Sequence, residues 1–248
     1  MLEDLSTPVV FAHRGASTHA PENTIAAFEL AVIQGADAVE LDVKLSADGF
    51  AVVIHDQSVD RTTDGNGRVN QMTLDSLKKL DAKYQFNEFK GERIPTLDEV
   101  FESVGKRIFI NVELTNYSSR NDDLVPVVAG IVKRHNMQQS VLFSSFIPGT
   151  LRKMKVLLPE VPAALLASRG LLGAAARSAL FLRLSPAIIH PYLTDVDQRL
   201  MEIERKRCRR VHVWTINEEA DLRKLCVLGV DGFFTDDPLN SLRIMGRK

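Results

Sequence analysis

Short apolar runs that end in polar residues organise this chain, and four of them carry its charged chemistry. Val9-Val10-Phe11-Ala12 ends in His13-Arg14-Gly15, crosses a polar loop and reaches Pro21-Glu22-Asn23-Thr24. The spacing predicts a strand, then a helix capped by Asn23 over 25–32 and stopped at Gly35. The next run, 38–45, alternates so that Glu40, Asp42 and Lys44 share one face. A further run, 51–56, ends in His55-Asp56, and only Ser46 to Phe50 separate the two. A parallel crossover needs about a dozen residues or more, so these strands must pair as an antiparallel hairpin with Asp48-Gly49 in its turn. That hairpin lays His55 roughly opposite Glu40 and Asp42. In the fourth run, 107–114, Asn111 and Glu113 share a face opposite Ile110, Val112 and Leu114.

The segment 57–91 is rich in Asp, Gly, Thr and Lys, with one helical stretch at 74–80. It is too long for a plain loop and reads as a small inserted cap on the active-site face. Strand candidates at 141–146, 162–167, 187–190, 210–216 and 230–234 then alternate with helices, the pattern of an α/β chain with a parallel sheet. Nine strands are counted in all, with 51–56 or one of the weaker late runs as the irregular member. No repeat or low-complexity linker divides the chain, so one domain over 1–248 is expected. The apolar stretch 171–182 is too short and too charged, with Arg177 inside it and Arg183 beside it, to span a membrane. A buried helix is expected there, with an apolar lip for a lipid tail as the lesser reading.

Three strand-borne carboxylates, Glu40, Asp42 and Glu113, would repel one another if packed together unpaired. A divalent cation removes that cost, and an all-oxygen set without ligand-spaced Cys or His favours Mg²⁺ or Ca²⁺ over zinc. The 45% hydrophobic and 25% charged content allows a large core, and 31 basic against 32 acidic residues offer no global field for nucleic acid or an acidic membrane. Cys208 and Cys226 fall in helical patterns without metal spacing, so a reduced, cytoplasmic chain is expected. Met1-Leu2-Glu3-Asp4 has no apolar core of the kind a signal peptide carries.

Eight motifs follow one another: H-R-G at 13–15, P-E-N-T at 21–24, E-x-D at 40–42, V-V-x-H-D at 52–56, R-T-T-D-G-x-G at 61–67, I-P-T-L-D-E-V at 94–100, N-V-E-L at 111–114 and V-H-V-W-T-I-N at 211–217. In that order they resemble the glycerophosphodiester phosphodiesterase family over about 9–238, nearly the whole chain. The resemblance implies a (β/α)₈ TIM barrel, for which 248 residues is an ordinary length. It implies acid/base histidines at His13 and His55, a phosphate-contacting Arg14, metal carboxylates at Glu40, Asp42 and Glu113, and Trp214 walling the pocket. One position departs from the pattern. The family usually reads E-x-K where this chain has Glu113-Leu114-Thr115, so a hydroxyl replaces a cation near the phosphate, and Lys44 is the residue that could supply the charge instead.

The implied reaction is metal-assisted hydrolysis of a glycerophosphodiester to glycerol 3-phosphate and an alcohol. One histidine deprotonates the neighbouring glycerol hydroxyl for attack on phosphorus and the other protonates the leaving alcohol. A cyclic phosphate is then hydrolysed with the roles reversed. A lysophospholipase D, a lyase that stops at the cyclic ester and a non-catalytic phosphodiester-binding barrel are the alternatives. A small-molecule glycerophosphodiester substrate is the expected partner, with no nucleic acid and no transmembrane segment. Among the other histidines, His19 reads as solvated, His135 as a helix C-terminal cation, His190 as a pocket or barrel-interior residue, and His212 as packing.

Overall fold

The computed structural model describes residues 2–117, 122–185 and 187–248. Its strands are β1 (Val9–His13), β2 (Ala38–Leu45), β3 (Ala51–Val53), β4 (Phe109–Leu114), β5 (Val141–Ser145), β6 (Ala163–Ala167), β7 (Ile188–Pro191), β8 (Arg210–Val213) and β9 (Gly232–Thr235). All strands except β3 pair in parallel, and β1 bonds both β9 and β2, which closes a (β/α)₈ barrel. The irregular strand is β3, which pairs antiparallel with β2 through Val43–Val53, Lys44–Val52 and Leu45–Ala51. Its ladder ends two residues before His55, although Ile54 N–H still donates to Asp42 O at 3.0 Å.

The helices are α1 (Ile25–Gln34), α2 (Leu74–Lys78), α3 (Leu97–Ser103), α4 (Leu124–Arg134), α5 (Pro148–Leu157), α6 (Leu171–Arg177), α7 (Gln198–Lys206), α8 (Glu219–Leu228) and α9 (Pro238–Ile244). Among the described residues, no helix is long and apolar enough to cross a membrane. Helix α1 is capped by Thr24, whose Oγ1 accepts from Ala27 N–H, rather than by Asn23. Asn23 is drawn away at φ 58°, and its amide meets Asp42 instead. Cys208 lies just past α7 at φ 53° rather than in a helix; Cys226 is in α8, and both are exposed free thiols. Within 57–91 the chain forms α2 and two 3-10 turns, over a separate apolar cluster of Val52, Ile54, Val59, Val69, Leu77, Ala82 and Ile94.

The main core lies between the sheet and the helices, with Val10, Val39, Leu41, Ile110, Val112 and Phe143 on the outward face of the strands. The inward face is graded along the barrel axis. Its lower layers are mostly apolar, with Val9, Phe11, Ala38, Phe109, Leu142, Ile188 and Phe234, and also hold the buried imidazoles of His190 and His212. Two residues further along, the same face of β1, β2 and β4 carries His13, Glu40 and Asn111, then Asp42 and Glu113. Gly232 makes room for this interior, since a Cβ there would lie 3.0 Å from His212 Cδ2 and 3.2 Å from Phe11 Cε2.

The loop after β1 is pinned against α1 by Gly15 at φ 84°, where a Cβ would sit 2.7 Å from the Ala27 backbone carbon. Gly15→Ala therefore combines a left-handed backbone penalty with a clash and should destabilise the chain by about 2 kcal/mol or more. Urea unfolding checks this, and an unchanged midpoint would mean that the loop can lift off α1.

Candidate active site

The polar end of the barrel interior surrounds one cavity of about 80 Å³, lined by His13, Arg14, Glu40, Asp42, His55, Asn111, Glu113, Phe146, Leu166, Trp214 and Phe234. Seven of the nine residues singled out in the sequence thus meet at the C-terminal mouth, where parallel-strand barrels gather their chemistry. A larger cavity of about 270 Å³ lies at the opposite strand ends, around Phe109, Val141, Ile188 and Arg210, and holds no such cluster.

Glu40, Asp42 and Glu113 each present an oxygen within 4.8 Å of the others. Burial, then repulsion from Asp42 and Glu113, pushes the Glu40 carboxyl well above its ordinary range. Burial and Asp42 push Glu113 up to about 7. Asp42 is buried too, but Arg14, His55 and Lys44 outweigh that cost and hold it low. The remaining contacts fix the set in place. Arg14 N–H donates to Glu40 Oε2 at 3.0 Å, Asn23 Nδ2 to Asp42 Oδ2 at 3.0 Å, and Tyr117 O–H to Glu113 Oε1 at 2.5 Å. Glu40 Oε1 and Asn111 Oδ1 are buried with no hydrogen-bond partner among the described residues. Three converging hard oxygen donors, one with an orphaned atom, fit a divalent cation.

Both imidazoles are aimed by a carboxylate. His13 Nδ1 lies 2.6 Å from Asp236 Oδ1, and His55 Nδ1 lies 2.7 Å from Asp56 Oδ1. An ionised carboxylate only accepts, so each Nδ1–H donates and each Nε2 is left available as base or, once protonated, as acid. Burial opposes the charge on Asp236, but bonds from His13, Asn217 and Ser17 hold it ionised below the usual range. Asp56 is held at about 2, chiefly by Arg61. Arg61 donates Nε to Asp56 and forks both terminal nitrogens onto Glu22, which also accepts from Arg14 at 2.9 Å.

Lys44 and Thr115 lie behind this cavity rather than on it. Lys44 is buried and donates Nζ to Thr115 Oγ1 at 2.5 Å, while that hydroxyl donates to Val43 O at 2.8 Å. Burial lowers the Lys44 ammonium, and Asp42, Glu113 and Asp56 partly restore it. Trp214 is braced edge-on by Phe146 at 5.5 Å and by Tyr192 at 5.0 Å. His19 pairs with Asp237 at 3.2 Å, and His135, at the C-terminal end of α4, meets Asp98 at 2.7 Å. His190 and His212 are buried in the barrel interior 3.3 Å apart, away from the cavity lining, with burial holding His190 down to about 3. Sequence reading missed Asp236, Asp56, Arg61, Glu22 and Tyr117 as members of the constellation. Glu22, Asp56 and Arg61 stand inside the motifs, whereas Asp236 is 223 residues from His13 and only barrel closure joins them.

Comparison with known proteins agrees over nearly the full length. A glycerophosphodiester phosphodiesterase of Caldanaerobacter subterraneus subsp. tengcongensis is 41% identical over 232 residues, covering 93% of this chain and 94% of the relative. An Oleispira antarctica phosphodiesterase, solved in complex with its product sn-glycerol-3-phosphate, superposes with a TM-score of 0.88 at 33% identity over 97% of both chains. A glycerophosphodiester phosphodiesterase of Agrobacterium tumefaciens matches with a TM-score of 0.79 at 32% identity, over 94% of this chain and 98% of the other. The sequence model of the glycerophosphoryl diester phosphodiesterase family spans residues 13–240, and the chain belongs to that family.

Proposed function

We propose that the chain hydrolyses glycerophosphodiesters to sn-glycerol 3-phosphate and an alcohol. One observation carries the reading. Two carboxylate-oriented imidazoles, an arginine and three converging carboxylates line the same cavity. A cation held by Glu40, Asp42 and Glu113 would supply the positive charge that offsets charge developing on the phosphate and favours an ionised hydroxyl. His13 and His55 divide the proton work. One takes the proton of the glycerol hydroxyl next to the phosphodiester as that oxygen attacks phosphorus, and the other gives a proton to the departing alcohol. The cyclic phosphate is then opened by water with the roles exchanged. Arg14 positions the non-bridging oxygens, and Trp214 with Phe146 excludes water from one wall. The 57–91 insertion acts as a cap over the His55 side, joined to it through Arg61. Buried Lys44 stands in for the family lysine by keeping one positive charge beside Asp42 and Glu113.

Purified protein supplied with Mg²⁺ or Ca²⁺ should release glycerol phosphate from a panel of headgroup variants, lose that activity in EDTA and regain it on metal addition. Phosphorus NMR should end at the monoester. An accumulating cyclic ester would instead assign a lyase, and no turnover on any headgroup would defeat the reading.

Asp236→Asn should cut kcat by about a hundredfold with little change in KM, because His13 then loses the partner that fixes its tautomer. Equal kinetics in the variant would remove Asp236 from the machinery.

Thr115→Lys would bring a second ammonium to the place Lys44 already fills, so it should lower kcat/KM or stability rather than restore a missing function. Lys44→Met should also cost activity, and Lys44→Thr combined with Thr115→Lys should recover part of it. A gain from Thr115→Lys alone would show that Lys44 does not fill the role.

A further inference from the structure

Helix α6 and the 3-10 turn Ala179–Phe181 present an outward face unlike the other helices. The stretch reads as a buried helix in the sequence, yet Leu171 is 90% exposed and Leu172 and Leu180 are each 80% exposed. Gly173 seats the helix on the turn that follows β6, where a Cβ would collide with the Ser168 carbonyl, and that seating turns the flanking leucines outward. Ala174, Ala175 and Ala179 are exposed beside them. No charged residue is exposed between Arg169 and Arg183, which stand exposed at the two ends, and half-buried Arg177 is paired with Asp195 at 2.6 Å. Single exposed leucines are ordinary on a protein surface, but three on one short segment with no exposed charge between them mark a contact surface.

A second observation says what the surface meets. The near-neutral chain is electrically segregated. Residues 124–194 hold eight Lys or Arg and one acid, Glu160, leaving 23 basic and 31 acidic residues elsewhere. Arg152 and Lys153 are exposed on α5, and Lys155 Nζ donates to Arg183 O at 3.0 Å, which ties the end of α5 to the segment after the turn. We propose that this face docks on an anionic phospholipid bilayer, with Leu171, Leu172 and Leu180 entering the interface and Arg152, Lys153, Arg169 and Arg183 meeting the headgroup phosphates. Nucleic acid would use the basic side chains but leave the leucines bare in water. A symmetric pairing of two copies through this face would press two strongly basic sectors together. The α6 end of this face begins just beyond the β6 end that contributes Leu166 to the cavity.

The test is flotation of the full chain with vesicles of phosphatidylcholine containing phosphatidylglycerol, against vesicles of phosphatidylcholine alone. The wild-type protein should float with the anionic vesicles only, and less well as salt rises. Leu171→Ser with Leu172→Ser should weaken that binding by about tenfold or more, and Arg169→Gln with Arg183→Gln by about fivefold for each arginine removed. Circular dichroism and turnover of a soluble glycerophosphodiester should stay at wild-type values in both variants. The arginine pair decides the matter if the leucine variant does not fold. Absence of flotation, equal flotation on neutral vesicles, or binding insensitive to these substitutions overturns the proposal. So does a self-association in sedimentation velocity that the leucine substitutions abolish without any vesicle binding.

Discussion

Everything at the barrel mouth depends on keeping three carboxylates close together and out of water. Glu40 and Asp42 are buried and Glu113 is half-buried, with one oxygen of each within 4.8 Å of the others, a placement that costs them hydration and adds mutual repulsion. The surrounding residues answer that cost unevenly. Asp42 gathers Arg14, Lys44 and the Asn23 amide and stays ionised, whereas Glu40 keeps an oxygen without a hydrogen-bond partner among the described residues. The asymmetry leaves the site short of positive charge at one point, and a bound cation would complete it there. The apolar layers beneath, from Phe11 to Phe234, keep water from reaching the carboxylates from below.

The two imidazoles are held by the same device. Asp236, which follows β9, fixes His13 after β1 has closed the barrel, and Asp56 fixes His55 locally. Arg61 then links Asp56 to Glu22, and Glu22 links back to Arg14, so one chain of charge-assisted bonds runs from the insertion to the H-R-G loop. A constellation built this way depends on side chains at strand ends and in short loops whose own partners are also held, which limits the rotamers each can adopt.

Lys44 and Thr115 meet at one buried point behind the cavity. They are neighbours across β2 and β4 although 71 residues separate them in sequence. A positive charge at that point interacts with Asp42 and Glu113 from behind the cavity. The buried Lys44 ammonium is stabilised by those carboxylates against its own desolvation, and it has no need to touch the cavity to act.

Much of the site was legible in the sequence because it depends on local periodicity. Alternation alone put Glu40 with Asp42 and Asn111 with Glu113 on common faces, and the five-residue link before β3 required the hairpin that brings in His55. What the sequence could not supply was anything that depends on closure or on competition for a partner. Asp236 reaches His13 only when β9 pairs with β1. Asn23 gives up the helix cap because its amide is engaged by Asp42, and the buried Thr24 hydroxyl caps α1 in its place. The leucines of α6 face water because Gly173 is the residue that fits against the turn after β6, a choice made by the distance between backbones and invisible in hydropathy. Periodicity thus determined which side chains share a face of one element, and the closed barrel decided which faces meet.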